Sequence, residues 1–247
     1  MDNKSIIVKI GGNILENKED LDSTINQLQS LLKKGLVYNV VIIAGGGTLA
    51  NFIRKLDHKL SLGDALSHWM AIYAMDFNGI AIQKKYSFIK LFDDFTKLKD
   101  EVSNLKGKSI SILLPYNYLK KEDPLPHSWD VTSDSICLFF AKKLGFNECY
   151  LIKDVDGLMI TNDKTKKLIK NVSTEEYKRL VDSQKLTIKM YSYNKIKKSV
   201  PIDSFVLTLI SQHKISCIIL NGTRLNTRII KYFEEAKEEN KNYSKIF

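Results

Sequence analysis

Proline is scarce in this chain, four residues in 247, and glycine numbers only 12. That composition excludes a collagen-like repeat and a Pro/Gly-rich disordered protein. Cysteine is scarcer still. Cys137, Cys149 and Cys217 stand far apart in sequence, each in an apolar run, and no CxxC pair occurs. This argues against a zinc site and reads as buried free thiols in a reducing compartment. No metal site is expected. No apolar run approaches the ~20 residues needed to span a bilayer. The opening MDNKS leads straight into a strand-like segment rather than a leader, so the expected location is the cytoplasm, with no membrane partner. Acidic residues are in deficit, 28 against 38 basic ones, giving a formal charge of +10. Such an excess favours anionic partners, or is a Lys-rich solvated surface. No basic stripe interleaved with aromatics is present, so nucleic acid is not an expected partner.

What is present is a globular balance, 44% hydrophobic and 27% charged residues, in a length suited to one α/β unit. Four β-branched runs stand out: Ser5–Ile10, Asn39–Ala44, Glu148–Lys153 and Ser216–Leu220. Each is nearly all apolar, as strands buried on both faces of a parallel sheet are. Ser109–Leu114 is a fifth. Helical spacing fills the intervals over Lys18–Lys34, Thr48–Leu56, Ser61–Lys84, Ser133–Leu144, Thr174–Asp182 and Asn226–Lys237. The alternation predicts an α/β fold with a parallel central sheet. Tyr86–Lys108 is mixed, Pro115–Pro126 reads as a loop, Thr161–Lys170 as an exposed hairpin, and Ile246-Phe247 as an added edge strand.

Ligands of parallel α/β sheets collect at the carboxyl ends of the strands. Gly11-Gly12 and Gly45-Gly46-Gly47 follow two buried strands, where bare backbone N–H groups and a helix N-terminus hold phosphate oxygens. The alternative reading is two tight turns. Lys9 interrupts an apolar strand just before the first pair, and a buried lysine is costly without an anion. In WDVTSDSI, Thr132 or Ser133 caps a helix and Asp134 falls in its first turn, placed to orient Lys9. Asp154 and Asp156, followed by Gly157, are either a turn or a holder of ribose or a metal–nucleotide complex. His68 sits mid-helix and reads more readily as a packing residue than a metal ligand. His127 precedes the WDVTSDS segment. Tyr191 and Tyr193 are base-stacking candidates or loop cover.

Taken together these residues resemble the amino acid kinase superfamily. The resemblance rests on VKIGG at Val8–Gly12, IIAGGG at Ile42–Gly47, TSDSI at Thr132–Ile136, KDVDGL at Lys153–Leu158 and CIILNG at Cys217–Gly222, in that order. It implies a three-layer αβα sandwich, with the acceptor bound by about residues 1–130 and ATP, with Mg²⁺, by about 131–247. Lys9 and Asp134 would be catalytic, Gly11, Gly12, Gly45, Gly46 and Gly47 the phosphate cradle, and Lys153, Asp154, Asp156 and Gly157 the nucleotide side. The segments Leu60–Gly79 and Leu125–Ile136 look like the branch that phosphorylates an aminomethylfuran phosphate in methanofuran biosynthesis. On that reading Asp64, His68, His127, Trp129, Asp130 and Thr132 line the pocket of a small phosphorylated acceptor, with a carboxylate for its amine. Uridylate or isopentenyl phosphate kinases, or a non-catalytic nucleotide-binding protein on the same fold, are the alternatives. By analogy with the family a homo-oligomer is expected. One departure stands out. The GGM-x-x-K segment of several relatives is replaced by TIKMYSYNKIKK, where Lys189, Lys195, Lys197 and Lys198 are candidate substitutes.

Overall fold

The computed structural model describes residues 4–103, 107–162, 165–186 and 201–247. In chain order the elements are β1 Ser5–Ile10, α1 Gly12–Glu16, α2 Lys18–Lys33, β2 Asn39–Ala44, α3 Gly47–Leu60, α4 Asp64–Lys85, β3 Lys90–Phe92, α5 Phe95–Ser103, β4 Ser109–Leu113, α6 Tyr116–Glu122 and α7 Ser133–Lys143. They continue with β5 Glu148–Lys153, β6 Leu158–Asn162, β7 Thr165–Ile169, β8 Asn171–Val172, α8 Thr174–Asp182, α9 Ser204–His213, β9 Ser216–Asn221, α10 Arg228–Glu234 and β10 Ser244–Ile246.

Eight strands form one sheet in the order β3-β4-β2-β1-β5-β9-β10-β8, and β6 and β7 form a separate antiparallel pair. Neighbours in the large sheet are parallel except β9 and β10. Two cores cover its faces. Ile7, Val41, Leu151 and Ile219 meet α7 and α9 on one side. Val8, Ile42, Ile152 and Leu220 meet α2 and α10 on the other. This is the three-layer αβα arrangement that the family resemblance implies, around the parallel sheet that the strand–helix alternation predicts. The strands follow because β-branched side chains pack well on both faces of a buried sheet. Helix α2 starts where the Asn17 side chain accepts the Glu19 and Asp20 N–H groups, and it buries Leu21, Ile25, Leu28 and Leu31 as one stripe. Every residue of α7 from Ser133 to Ala141 is buried, as befits a helix apolar on all sides.

Four expectations need correction. The proline-flanked Pro115–Pro126 stretch holds helix α6, because Pro115 sets the turn and Leu119 is buried. The mixed Tyr86–Lys108 stretch holds β3 and α5. Helix α9 has no counterpart in the sequence reading. The C-terminal strand is interior rather than an edge, since β10 is paired on both sides and β8 lies outermost. The three cysteines, distant in sequence, are all buried and free, and Cys137 Sγ lies 3.4 Å from Cys149 Sγ.

Candidate active site

Strand register decides which side chains meet. In β1, Lys9 pairs with Leu151 of β5. Paired residues of parallel strands point to one face, and period two puts Lys153 on that face as well. It is the face that α7 covers. The connection from β1 runs toward β2 while that from β5 runs toward β9, so the chain reverses direction here, where ligands of open α/β sheets bind.

Asp134, in the first turn of α7, reaches both lysines. Lys9 Nζ lies 2.8 Å from Asp134 Oδ1, and Lys153 Nζ donates to Asp134 Oδ2 at 2.6 Å. The Asp134 and Lys9 side chains are only 5% and 8% exposed. Burial pushes the Asp134 carboxyl up, but Lys153 and Lys9 more than offset it and hold it at about 2. Burial pulls the Lys9 ammonium below the usual lysine range, against the pull of Asp134. Two cations share one carboxylate, which leaves a fixed positive charge at the strand ends. That donor set suits a polyphosphate.

Asp203 supports this arrangement and was not singled out from the sequence. Its carboxylate accepts Thr132 Oγ1 at 2.6 Å, the Thr132 and Ser135 N–H groups at 3.1 Å each, and the Val206 N–H at 3.0 Å. The Ser135 hydroxyl donates to it too. One side chain thus caps α9 and ties down the first turn of α7. Burial and nearby Asp134 push its carboxyl up. Thr132 is engaged here and at the Asp134 N–H, so its contacts are structural.

The glycine runs meet each other. A Cβ on Gly12 would stand 2.7 Å from Gly47 Cα. A Cβ on Gly45 would stand 3.2 Å from Lys9 Cε, and one on Gly46 would overlap Ala50 Cβ. Not all five offer donors. The Gly11 N–H donates to Ile152 O at 2.8 Å and the Gly45 N–H to Ile10 O at 2.9 Å. These two extend the sheet ladder, so the expected cradle narrows to Gly12, Gly46 and Gly47, whose helix-start N–H groups have no intrahelical acceptor. The next N–H, that of Thr48, donates to the Glu16 carboxylate.

On the expected nucleotide side, Arg228 pairs with Asp156 through Nε at 3.0 Å and Nη2 at 3.2 Å. Asn221 Nδ2 donates to Asp156 Oδ1 at 2.8 Å. Asp156 is therefore a braced loop residue. Gly157 is buried at φ +132, and a Cβ there would overlap Ser244 Oγ, so close packing against β10 requires glycine. Lys153 belongs with Asp134 and Lys9 rather than apart from them.

On the expected acceptor side, His68 is 5% exposed and stacks on His127 at 4.9 Å between ring centroids. His127 Nε2 lies 2.7 Å from Asp123 Oδ1. Burial first, then His127, lowers the His68 pKa to about 4, so it is neutral at pH 7. Trp129 Nε1 donates to Asp57 Oδ2 at 2.8 Å. Asp64 and Asp130 are exposed, which leaves the ring cluster, not these carboxylates, as the walled part of this region. Tyr191, Tyr193 and the candidate substitute lysines, Lys189, Lys195, Lys197 and Lys198, lie outside the described residues.

The amino acid kinase family profile matches residues 4–221. The chain belongs to this family. It is therefore an ATP-dependent phosphotransferase acting on a small molecule. A curated kinase relative, the [5-(aminomethyl)furan-3-yl]methyl phosphate kinase of Methanocaldococcus jannaschii, is 32% identical over 216 residues, 87% of each chain. Among solved amino acid kinase folds, uridylate kinase of Archaeoglobus fulgidus superposes with TM-score 0.65 at 17% identity, covering 99% of this chain and 100% of that one. UMP kinase of Bacillus anthracis gives 0.68 at 15% identity, covering 98% and 95%. Among the described residues no helix is long and apolar enough to cross a membrane, and no cluster of three or more metal-ligating side chains occurs.

Proposed function

We propose that this kinase transfers the γ-phosphoryl group of ATP to a phosphate monoester, with [5-(aminomethyl)furan-3-yl]methyl phosphate as the acceptor and the diphosphate as product. The observation that carries the reading is Asp134 held between Lys9 and Lys153 at the strand ends, beside two touching glycine runs. The acceptor choice draws on the Methanocaldococcus jannaschii relative. The acceptor binds on the 1–130 side and the nucleotide on the 131–247 side.

Phosphoryl transfer needs positioning and charge stabilisation more than covalent help. ATP supplies the phosphoryl group, and Mg²⁺, when bound with it, would neutralise part of its charge. Lys9 stabilises charge on the transferring group. Asp134 fixes Lys9 and Lys153 at set positions; held at about 2, with a lysine on each oxygen, its carboxylate is too weak a base to take a proton from the acceptor. The N–H groups of Gly12, Gly46 and Gly47 hold phosphate oxygens. The stack of neutral His68 on His127 excludes water on the acceptor side.

Association of copies is part of this reading. Leu66, Met70, Tyr73, Phe77 and Ile80 line one face of α4, 38–62% exposed, and Leu49 and Phe52 of α3 add to the exposed apolar surface. At ~100 Å² each, on the scale of large apolar side chains, seven such residues approach the ~800 Å² per partner of a standard interface. Sedimentation of wild type and Phe77→Asp tests this, the variant being expected to run as a monomer.

The acceptor test compares the aminomethylfuran phosphate, UMP and isopentenyl phosphate under identical conditions. The highest kcat/KM is expected for the first. A higher value for either other monoester overturns the acceptor choice and leaves the family intact. Lys9→Ala should lose on the order of 10²-fold or more in kcat while ATP still binds.

A further inference from the structure

Beside Trp129 of the 123–132 loop, α3 carries a cation that pairs with no carboxylate among the described residues. Arg54 lies on the face of α3 that runs through Gly47, Ala50, Arg54 and Asp57, at steps of three and four residues. Ala50 on this face touches the space above Gly46. Helical side chains lean toward the helix N-terminus, and the N-terminal end of α3 is the Gly46-Gly47 part of the cradle. Its guanidinium carbon stands 4.4 Å from the Trp129 ring centroid. Its Nε is buried without an acceptor. Among the described residues no carboxylate pairs with it. The nearest candidate by sequence, Asp57 one turn on, is engaged by Trp129 Nε1 and by the Gly63 N–H at 3.2 Å.

A buried donor left unpaired is costly, and more so for a charged group. Cation–π packing on Trp129 satisfies the face of the guanidinium but none of its in-plane N–H groups. Those N–H groups form a fork that fits two oxygens of a phosphate. The other cation on this aromatic wall, Lys120, stands 4.4 Å over Trp69 rather than Trp129, and an ammonium offers no planar fork.

We propose that Arg54 is the anion-binding residue of the acceptor site, gripping the phosphate that the acceptor already carries, with Trp129 holding the guanidinium in place. This rests on the reading of the chain as a kinase of phosphate monoesters. It makes Arg54 a binding and specificity residue: an acceptor without a phosphate would leave the guanidinium unpaired and be rejected.

The test uses the full chain and the variants Arg54→Gln and Arg54→Lys. The expected result for Arg54→Gln is a rise of about 100-fold in the acceptor KM, a KM for ATP within two-fold of wild type, and an unchanged unfolding midpoint. Arg54→Lys recovers only part of the loss, because an ammonium lacks the fork. Calorimetric titration of ATP-free protein with the aminomethylfuran phosphate, UMP and isopentenyl phosphate reads Arg54 independently of turnover. If UMP is the better acceptor and Arg54→Gln weakens UMP, the acceptor choice fails and Arg54 stands. If wild type turns over the aminomethylfuran phosphate and Arg54→Gln leaves its KM unchanged, the proposal for Arg54 is overturned and the acceptor stands. Equal rises in both KM values with a lowered midpoint, or no monoester binding to wild type, also overturn it.

Discussion

Replacing Asp134 with Asn would remove the one negative charge shared by Lys9 and Lys153. The carboxylate stands 2.8 and 2.6 Å from the two ammoniums. At an effective dielectric of ~20, each pair attracts by on the order of 5 kcal/mol before desolvation is counted. Breaking a buried ion pair from one side costs about 3–5 kcal/mol, because the partner charge is stranded. Here two charges are stranded beside each other. Asp134→Asn should therefore lose at least that amount and lose phosphoryl transfer. The stronger test is the sign of a second substitution. In wild type, Lys153→Met removes an attractive partner and should destabilise. In the Asp134→Asn background it removes a repelling cation and should stabilise. Urea unfolding of the four proteins at pH 7 gives the coupling. If Lys153→Met shifts stability equally in both backgrounds, within about 0.5 kcal/mol, Asp134 is not the shared counter-ion. The Asp134→Asn protein should also gain stability at alkaline pH. Burial holds its Lys9 below the ordinary lysine value, so the penalty is present at low pH and fades as pH rises through that lowered value.

Buried His68 and half-buried Asp76 set opposite pH slopes. Burial, then His127, lowers His68 to about 4, so its contribution is complete above about 6.5 and is lost as pH falls toward 4. Burial raises Asp76 to about 7, so its contribution is complete below the ordinary carboxyl value and is lost as pH rises toward 7. Each slope is at most ~1.4 kcal/mol per pH unit. Relative to wild type, Asp76→Asn should gain stability with rising pH between 4 and 6.5, and His68→Asn should lose it; parallel curves for all three would refute the assignment. Gly46→Val should abolish turnover, since its side chain meets Ala50 beside the cradle, whereas Gly145→Ala, at φ +76 in open space, should lose only ~1 kcal/mol of stability. Asp203→Ala should lower the urea midpoint by an amount worth 2 kcal/mol or more, about two helix caps, and should lower kcat through α7; unchanged turnover would show that Asp134 holds its place without it.

The strands and the glycine, lysine and TSDS motifs were legible because each announces itself locally. Buried parallel strands are unbroken β-branched runs, and each run here ends in a glycine or polar turn. What stayed hidden depends on register or on contacts between distant segments. That Lys153 reaches Asp134 is hidden because nothing in KDVDG says that β5 lies beside β1. Helix α9 was legible in principle: Ser204, Thr208, Ser211 and Gln212 form an exposed stripe at helical spacing, opposite buried Val206, Leu207, Leu209 and Ile210. Asp203 just before it is a cap signal that could have revealed the helix. Helix α6 was masked by the prolines at its ends. Gly11 and Gly45 looked equivalent to their neighbours, and only the sheet pairing shows that their N–H groups are already spent.

The link between Ser244 and the turn after β5 bears on how the protein reaches its working shape. Ser244 Oγ receives the Leu158 N–H at 2.7 Å across 86 residues of sequence, and it fills the space that glycine leaves at position 157. Strand β10 can take that place only by entering between β9 and β8. Long-range pairings of this kind form slowly, because chain closure is costly before contacts reward it. The lysine–carboxylate centre can form once β1, β5 and α7 have met. The turn beyond it waits for β10. A refolding experiment should therefore find the Trp129 environment restored before catalytic competence returns.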